Sequence, residues 1–247
     1  MKKTTKFRFY PLAAFILVFL MTVNCSKNNT NDPVPPATVT DIDGNIYHTV
    51  TIGTQVWMVE DLKTTKFNDG TLIPLVTDTA VWNNLISAGF CWFQNDAATY
   101  KATYGAIYNW HAVNTGKLAP VGWHVPTDTE WKILEMNLGM SQAQADTTGW
   151  ARGTDEGGKM KEAGTLHWLP PNAGATNSSG FTGLPAGERY GSDGGFHGIG
   201  DYGAWWTSTE YDGKYAWNRC LSHDISACAH RGRDLKDFGF SVRCVRD

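Results

Sequence analysis

The chain has 247 residues, of which 42% are hydrophobic and 18% are charged, and its formal net charge is −3. Four of its 21 basic residues and none of its 24 acidic residues lie in the first 24 positions. A chain that begins at residue 25 therefore keeps 17 basic residues against 24 acidic ones, a net charge of −7. This acidic balance argues against nucleic acid or an anionic lipid surface as a partner.

Residues 1–24 have the order of a secretory signal peptide. Four basic residues precede an apolar run from Leu12 to Met21, and the polar Asn24 follows. As a helix, this run would span only about 15 Å at ~1.5 Å per residue, against roughly 30 Å for the hydrocarbon core of a bilayer. We therefore predict a segment that is cleaved rather than a transmembrane helix.

Cys25 is predicted to become the lipid-bearing first residue of the mature protein. Acyl chains such as palmitate contribute roughly 0.8 kcal/mol per buried CH₂, so several of them anchor a protein stably in a membrane. Residues 25–38 are rich in Asn and Pro and form a flexible tether. These features predict an envelope protein of the outer membrane and cell surface. The alternative is an ordinary secretory signal that leaves Cys25 as a spare thiol.

Residues 39–247 are predicted to form one domain of short elements and turns, since the chain holds 11 Trp and 26 Gly. The domain begins with a hairpin, in which Asp43 and Gly44 separate residues 39–42 from the alternating residues 46–52. The spacing of Asp41, Asp43 and Asn45 also resembles the start of a calcium-binding loop. The glycine and the distant Glu ligand that such a loop requires do not follow, so a turn is favoured.

Two helices are predicted from capping and periodicity. Thr127 and Glu130 form a capping box after a proline, and apolar residues then recur at helical spacing until Gly139. A weaker pattern covers residues 79–87.

Three strands are predicted in the last fifth of the chain. Residues 204–208, 215–221 and 238–245 combine β-branched and aromatic residues between turn signals.

A glycine-rich, aromatic loop over residues 190–203 is the candidate ligand-binding segment, since recognition commonly uses loops on a rigid scaffold. Its aromatic rings can stack on a sugar or peptide, and its acids can accept hydrogen bonds or hold calcium. The alternative is that the rings complete the core and the glycines permit turns. The candidate residues are Tyr190, Asp193, Phe196, Asp201 and Tyr202.

Five motifs in order carry a resemblance to a known family. They are GAIYNW at 105–110, GWHVPTDTEW at 122–131, GFTGLPAG at 180–187, WWTST at 205–209 and GFSVRCV at 239–245. Together they resemble the Fibrobacter succinogenes major paralogous domain family of exported bacterial proteins. That family is similar, more distantly, to the formylglycine-generating sulfatase-modifying enzymes. Both resemblances imply an α+β, C-type-lectin-like fold with short antiparallel sheets, one or two main helices and long loops.

With Cys25 lipidated, the even number of remaining cysteines predicts disulfides, and the three possible connectivities stay open. A local Cys220–Cys228 bridge would leave Cys91 to pair with Cys244. The resemblance implies a second interpretation, in which Cys220 and Cys228 match the redox pair of the formylglycine-generating enzymes. Such chemistry needs an accessible thiolate of low pKa, often with a metal.

The sequence thus favours a non-catalytic envelope protein, bound to the membrane through Cys25, that binds a protein or glycan ligand or has a structural role. No metal signature is present, and calcium is the one cofactor that the loop acids suggest. The alternative is an oxidase that uses Cys220 and Cys228.

Overall fold

Two β-sheets contain most of the regular structure in the computed structural model, which describes Met1 and residues 37–247. The predicted signal peptide beyond Met1, Cys25 and the tether up to residue 36 lie outside the described residues. In the described part, no helix combines the length and apolar character needed to cross a membrane. The strands are β1 (Thr38–Thr40), β2 (Ile46–Ile52), β3 (Gln55–Met58), β4 (Phe90–Cys91), β5 (Ile107–Asn109), β6 (Trp123–His124), β7 (Gly149–Arg152), β8 (Ala186–Arg189), β9 (Phe196–Ile199), β10 (Tyr202–Glu210), β11 (Tyr215–Ser222), β12 (Cys228–Leu235), β13 (Gly239–Phe240) and β14 (Val245–Arg246).

The helices are short and lie between the strands of the first two thirds of the chain. The longest has ten residues, and the others have four to eight. Mixed strands and helices confirm the α+β class. The helices are α1 (Thr79–Asn83), α2 (Ala97–Tyr104), α3 (Trp110–Val113), α4 (Asp128–Asn137), α5 (Gln142–Asp146) and α6 (Glu156–Met160).

The five-stranded sheet, in the order β1-β2-β3-β14-β6, begins with the predicted hairpin. Gly44 has a φ of 83°, which the turn requires and which glycine adopts without steric cost. The carboxylate of Asp41 accepts hydrogen bonds from the backbone N–H of Asp43 and Asn45, both at 2.9 Å, and from the Tyr47 hydroxyl at 2.6 Å. The hairpin is confirmed, and the Asp41 carboxylate holds its turn.

The nine-stranded sheet runs β4-β5-β13-β8-β10-β11-β12-β7, with β9 paired to β8. The strands predicted at 204–208 and 215–221 are confirmed within β10 and β11. The single strand predicted at 238–245 is wrong, because it divides into β13 in this sheet and β14 in the five-stranded one. Between them, Arg243 turns inward and donates to Asp61 Oδ1 at 2.7 and 2.9 Å, so the chain crosses from one sheet to the other.

The predicted helix after Thr127 is confirmed as α4, complete with its capping box. The weaker helix is shorter than predicted. Asp78 caps α1 through the Val81 N–H, but the helix ends at Asn83, and Ile86 is exposed rather than packed.

Aromatic side chains fill the core, as the composition predicts. Trp57 and Trp131 meet edge to face with ring centroids 5.0 Å apart, and Phe181 and Trp205 pack on Trp131 at 5.7 and 6.3 Å. Burial of each such ring contributes roughly 1.5–3 kcal/mol. The fully buried tryptophans are Trp57, Trp82, Trp110, Trp131, Trp168, Trp205 and Trp206.

Candidate functional site

A cavity of about 360 Å³ lies on one face of the nine-stranded sheet, over strands β8, β10, β11 and β12. Its volume falls within the roughly 300–1,000 Å³ typical of small-molecule sites. Aromatic, acidic and amide side chains surround it. The lining residues are Trp150, Glu188, Tyr190, Tyr202, Ala204, Asn218, Cys220, His230, Asp234, Phe238 and Phe240.

Strand alternation selects the side chains of the cavity floor. The register pairs Cys220 of β11 with Ala204 of β10 on one side and with His230 of β12 on the other. Paired residues point to the same face, and residues two apart repeat it. Asn218 and Asp234 therefore join them from the same two strands.

The opposite face of β11 and β12 carries a buried ion-pair network. Arg219 donates to Glu135 at 2.7 Å and to Asp128 at 2.9 Å, and Arg231 donates to Asp128 at 2.6 and 2.8 Å. Arg152 completes the network with a 2.6 Å bond to Glu135. Asp128 and Glu135 therefore each have two guanidinium partners.

Aromatic rings form the wall of the cavity. Tyr190 packs on Phe238 with ring centroids 5.2 Å apart, and Phe238 packs on Phe240 at 6.0 Å. On the far side, Trp150 stacks on His230 with centroids 4.6 Å apart and planes 21° apart. Although it is stacked, Trp150 is 60% exposed, so one face of its indole is open at the rim.

Local backbone strain aims Trp150 toward the cavity. Trp150 and Arg152 are two residues apart on β7 and would share a face in a regular strand. Ala151, between them, has a φ of 55°, which only a few per cent of non-glycine residues adopt. As a result, Arg152 joins the buried ion pairs while Trp150 lines the cavity.

Two carboxyl groups face the cavity. Glu188, 9% exposed, accepts a 2.5 Å hydrogen bond from the Tyr202 hydroxyl, and the partly buried Asp234 accepts one from the Asn218 amide at 2.6 Å. Burial raises the pKa of Glu188 to about 7, outweighing the hydrogen bonds from Tyr202 and Tyr190. Burial also raises the pKa of Asp234, against the Asn218 bond. Among the described residues, neither carboxylate forms an ion pair.

His230 adds no positive charge to this site. Burial first, and then the positive charges of Arg152 and Arg219, lower its pKa to about 4. A histidine with this pKa is a neutral imidazole at physiological pH. The cavity thus combines a neutral ring, two carboxyl groups and an aromatic wall.

A family model described as the Fibrobacter succinogenes major domain matches residues 50–246, which include every residue that lines the cavity. The chain belongs to this family. No curated protein and no solved structure matches the chain. In this member of the Fibrobacter succinogenes major domain family, the matched region contains both sheets apart from β1 and the start of β2.

The described cysteine side chains of this major domain are buried free thiols. Cys91, Cys220 and Cys244 are free and buried, so the predicted Cys91–Cys244 bridge is absent, as is any bridge from Cys220. Burial raises the pKa of Cys220 well above its ordinary value, which is opposite to the reactive thiolate that an oxidase requires. The side chain of Cys228 lies outside the described part of the structure. Its backbone lies on β12, paired with Arg152.

The structure brings two of the five loop residues to the cavity of the major domain. Tyr190 and Tyr202 line it. Asp193 instead accepts the Gly195 N–H at 2.8 Å and holds a turn. Phe196 packs on Phe93 with centroids 5.4 Å apart. Asp201 lies 3.3 Å from His223.

Within residues 37–247 as described, no three His, Cys, Asp or Glu side chains are placed to share a metal ion.

Sequence reasoning missed most of the other cavity residues. Asn218, His230 and Asp234 have the even-numbered spacing of two strands, which is visible in the sequence, but the pairing that joins them is not. Glu188 follows a glycine in a family motif and carries no local sign of burial. Trp150 is one of 11 tryptophans, and only its exposure distinguishes it from the core.

Proposed function

We propose that this chain is a non-catalytic, lipid-anchored protein of the cell envelope that binds a glycan in the cavity beside Trp150. The observation that carries the proposal is an exposed indole at the rim of a cavity whose floor bears carboxyl and amide groups. Sugars present an apolar C–H face and a ring of hydroxyls, which suit an aromatic platform and nearby hydrogen-bonding groups respectively.

Other hollows of the molecule fit a glycan less well. A hollow of about 370 Å³ is lined by His111, Lys236 and eight further described residues, and none of the ten is Phe, Tyr or Trp. A hollow of about 190 Å³ near Val125 has only His124 as a ring. Neither offers the flat apolar surface on which a sugar ring stacks.

A glycan-cleaving activity is not favoured by the electrostatics of the cavity. Glycoside hydrolysis uses two carboxyl groups whose pKa values are pushed apart, one kept protonated and one kept ionised. Burial raises the pKa of both Glu188 and Asp234, and neither has a cationic partner among the described residues that would keep it ionised. This is a reason to propose binding without hydrolysis.

The oxidase alternative has weaker support. Cys220 lines the cavity, but its thiol is buried and its pKa is raised. Access and a depressed pKa are the two properties that reactive cysteines share.

The proposed anchor and fold rest on the sequence. The segment before Cys25 and the tether after it support attachment to the outer membrane and display at the cell surface. Short antiparallel strands, few helices and long loops support a C-type-lectin-like arrangement, and the resemblance to the sulfatase-modifying enzymes points the same way.

The proposal is tested by incubating the detergent-purified, full-length chain with a glycan array. Binding of at least one glycan class is expected, and Trp150→Ala should weaken it tenfold or more because stacking on the indole is lost. Tyr211→Ala is the matched control, since Tyr211 is also an exposed aromatic residue (41%) but does not line the cavity. Absence of glycan binding, or equal loss in both variants, would refute the proposal.

A further inference from the structure

The cavity acids Glu188 and Asp234 have no cationic partner among the described residues, unlike three buried acids elsewhere that contact arginines. Asp128 and Glu135 each contact two arginines, and Asp61 contacts Arg243. Glu188 has only tyrosine hydroxyls, and Asp234 only an amide, as side-chain hydrogen-bond partners. Buried charges in proteins are normally paired, so two unpaired carboxylates facing one cavity indicate that a partner arrives from outside.

Nothing within the cavity provides that partner. None of its described lining residues is Lys or Arg. His230 is held neutral by burial and by Arg152 and Arg219 behind it. The neighbouring hydroxyls of Tyr190 and Tyr202 and the thiol of Cys220 cannot supply a positive charge. The faces that enclose the space therefore carry negative charge or none.

The aromatic wall favours the same type of ligand. Rings of Trp and Tyr attract cations through the negative potential of their faces, and Phe does so more weakly. Trp150 and Tyr202 line the cavity together with the carboxyl groups of Glu188 on β8 and Asp234 on β12. A cation that enters therefore gains from the rings and the carboxylates together.

From these contacts we propose that the bound glycan carries a free amino group, and that its ammonium is held between Glu188, Asp234 and the aromatic wall. This inference rests on the proposed function and specifies its ligand class. An amino sugar suits the site better than a lysine side chain. Its hydroxyls can use Asn218, Tyr190 and Tyr202, whereas lysine offers a single polar group at the end of an apolar stem.

The test uses three β-1,4-linked tetrasaccharides, of glucosamine, N-acetylglucosamine and glucose. They share one backbone and differ at C2, which bears an ammonium, an acetamide or a hydroxyl. Affinities are measured by calorimetry with the full-length chain, at a pH where the amine is protonated. The glucosamine oligomer should bind at least tenfold more tightly than either neutral oligomer.

Charge-neutral variants then locate the preference. The double variant Glu188→Gln, Asp234→Asn keeps the shape of the cavity and should remove the preference for the ammonium. Asp193→Asn is the matched control, because Asp193 is an exposed acid of the adjacent loop that does not line the cavity. Thermal melting of each variant checks that the fold is retained, and the single variants replace the double one if it fails to fold.

The outcomes separate this inference from the proposed function. Equal binding of all three oligomers, or a preference that survives in the double variant, overturns the ammonium site and leaves glycan binding intact. Equal binding of lysine methylamide and the glucosamine oligomer overturns the choice of amino sugar. If no glycan binds and Trp150→Ala changes nothing on the array, the proposed function fails and the inference fails with it.

Discussion

The two faces of strands β11 and β12 carry acidic groups in opposite circumstances. On one face, Asp128 and Glu135 are surrounded by Arg152, Arg219 and Arg231 at 2.6–3.1 Å. On the other face, the carboxyl groups meet hydroxyl, amide and aromatic groups only. Residues adjacent in sequence thus belong to different kinds of environment.

Burial alone does not determine the ionisation state of these acids. A carboxylate with a full set of guanidinium donors is stabilised in its ionised form, and burial of Asp128 is outweighed by Arg231 and Arg219, which lower its pKa to about 2. Glu188 is buried to a similar degree but has its pKa raised to about 7. The two pKa values differ in direction because Asp128 has arginine partners and Glu188 has none.

Disruption of the buried ion-pair network should have the largest effect on stability. Arg219→Met leaves Asp128 and Glu135 with fewer donors in a buried setting, and removing one partner of such a network costs about 3–5 kcal/mol of unfolding free energy. Urea unfolding measures this loss. Arg233→Met, on an exposed residue of β12 that contacts Tyr211, is the control and should cost less than about 1 kcal/mol. A loss below about 1 kcal/mol for Arg219→Met would contradict the structural role of the network.

Replacement of an acid on the cavity face should instead increase stability. The pKa of Glu188 rises from 4.5 to about 7 on folding. Between these values the unfolded chain releases the proton and the folded chain keeps it, so stability falls as pH rises. Glu188→Gln removes this penalty while still accepting the Tyr202 hydroxyl. It should equal the parent below pH 4.5 and exceed it by up to about 3 kcal/mol above pH 7.

Urea unfolding at a series of pH values measures the difference between the parent and Glu188→Gln. Asp193→Asn, an exposed turn residue, serves as the control and should show no such gain with pH. A Gln variant that is less stable than the parent above pH 7 would show that Glu188 has a stabilising partner.

Cys220 lies on the cavity face of β11. Its contribution to stability shows whether its thiol is free or forms a disulfide. Cys220→Ser buries a hydroxyl with weaker packing and should cost about 1–2 kcal/mol, the same with and without reductant. Loss of a native disulfide typically costs about 2–5 kcal/mol and would make the parent sensitive to reductant. Thermal melting of both proteins, with and without dithiothreitol, distinguishes the two cases. A parent melting temperature that falls with reductant would contradict the free thiol.

The smallest effect on stability is expected at the surface, where a histidine lies between two carboxylates. His124 is 2.8 Å from Glu130 and 2.6 Å from Asp247, and the Glu130 bond, aided by Asp247, raises its pKa to about 9. The stabilisation is complete below pH 6.5 and is lost as pH rises through about 9. Because the side chain is 37% exposed, solvent screens the pair and the effect should stay below about 1 kcal/mol.

Nuclear magnetic resonance titration of the His124 ring protons measures this pKa directly. In Asp247→Asn the pKa should fall toward its ordinary value, because one acceptor loses its charge. A pKa near 6.5 in the parent would show that neither carboxylate acts on the ring.

Local signals explain which parts of the fold were predictable. The turn at Gly44 and the capping box at Thr127 are written in adjacent residues, and both are confirmed. The segment at 238–245 looks like one strand, but Arg243 must reach Asp61, far away in sequence, and the strand is divided. A pattern of alternating residues does not show where such a partner lies.

The candidate site depended on contacts that no local pattern encodes. Tyr190 and Tyr202 were predicted because aromatic residues in a glycine-rich loop are conspicuous. Glu188 and Asp234 line one cavity only because β8 pairs with β10, β10 with β11, and β11 with β12. The orientation of Trp150 depends on the left-handed backbone conformation of Ala151. Alanine rarely adopts this conformation, so the sequence does not predict it.

The last strand also limits when the domain can complete itself. β14, residues Val245–Arg246, lies between β3 and β6 inside the five-stranded sheet rather than at its edge. Synthesis delivers this internal strand almost 190 residues after β3, so the sheet stays open until residues 245–246 have been made. Closing so long a loop delays folding. Removal of residues 245–247 would therefore separate the edge strand β6 from β1, β2 and β3.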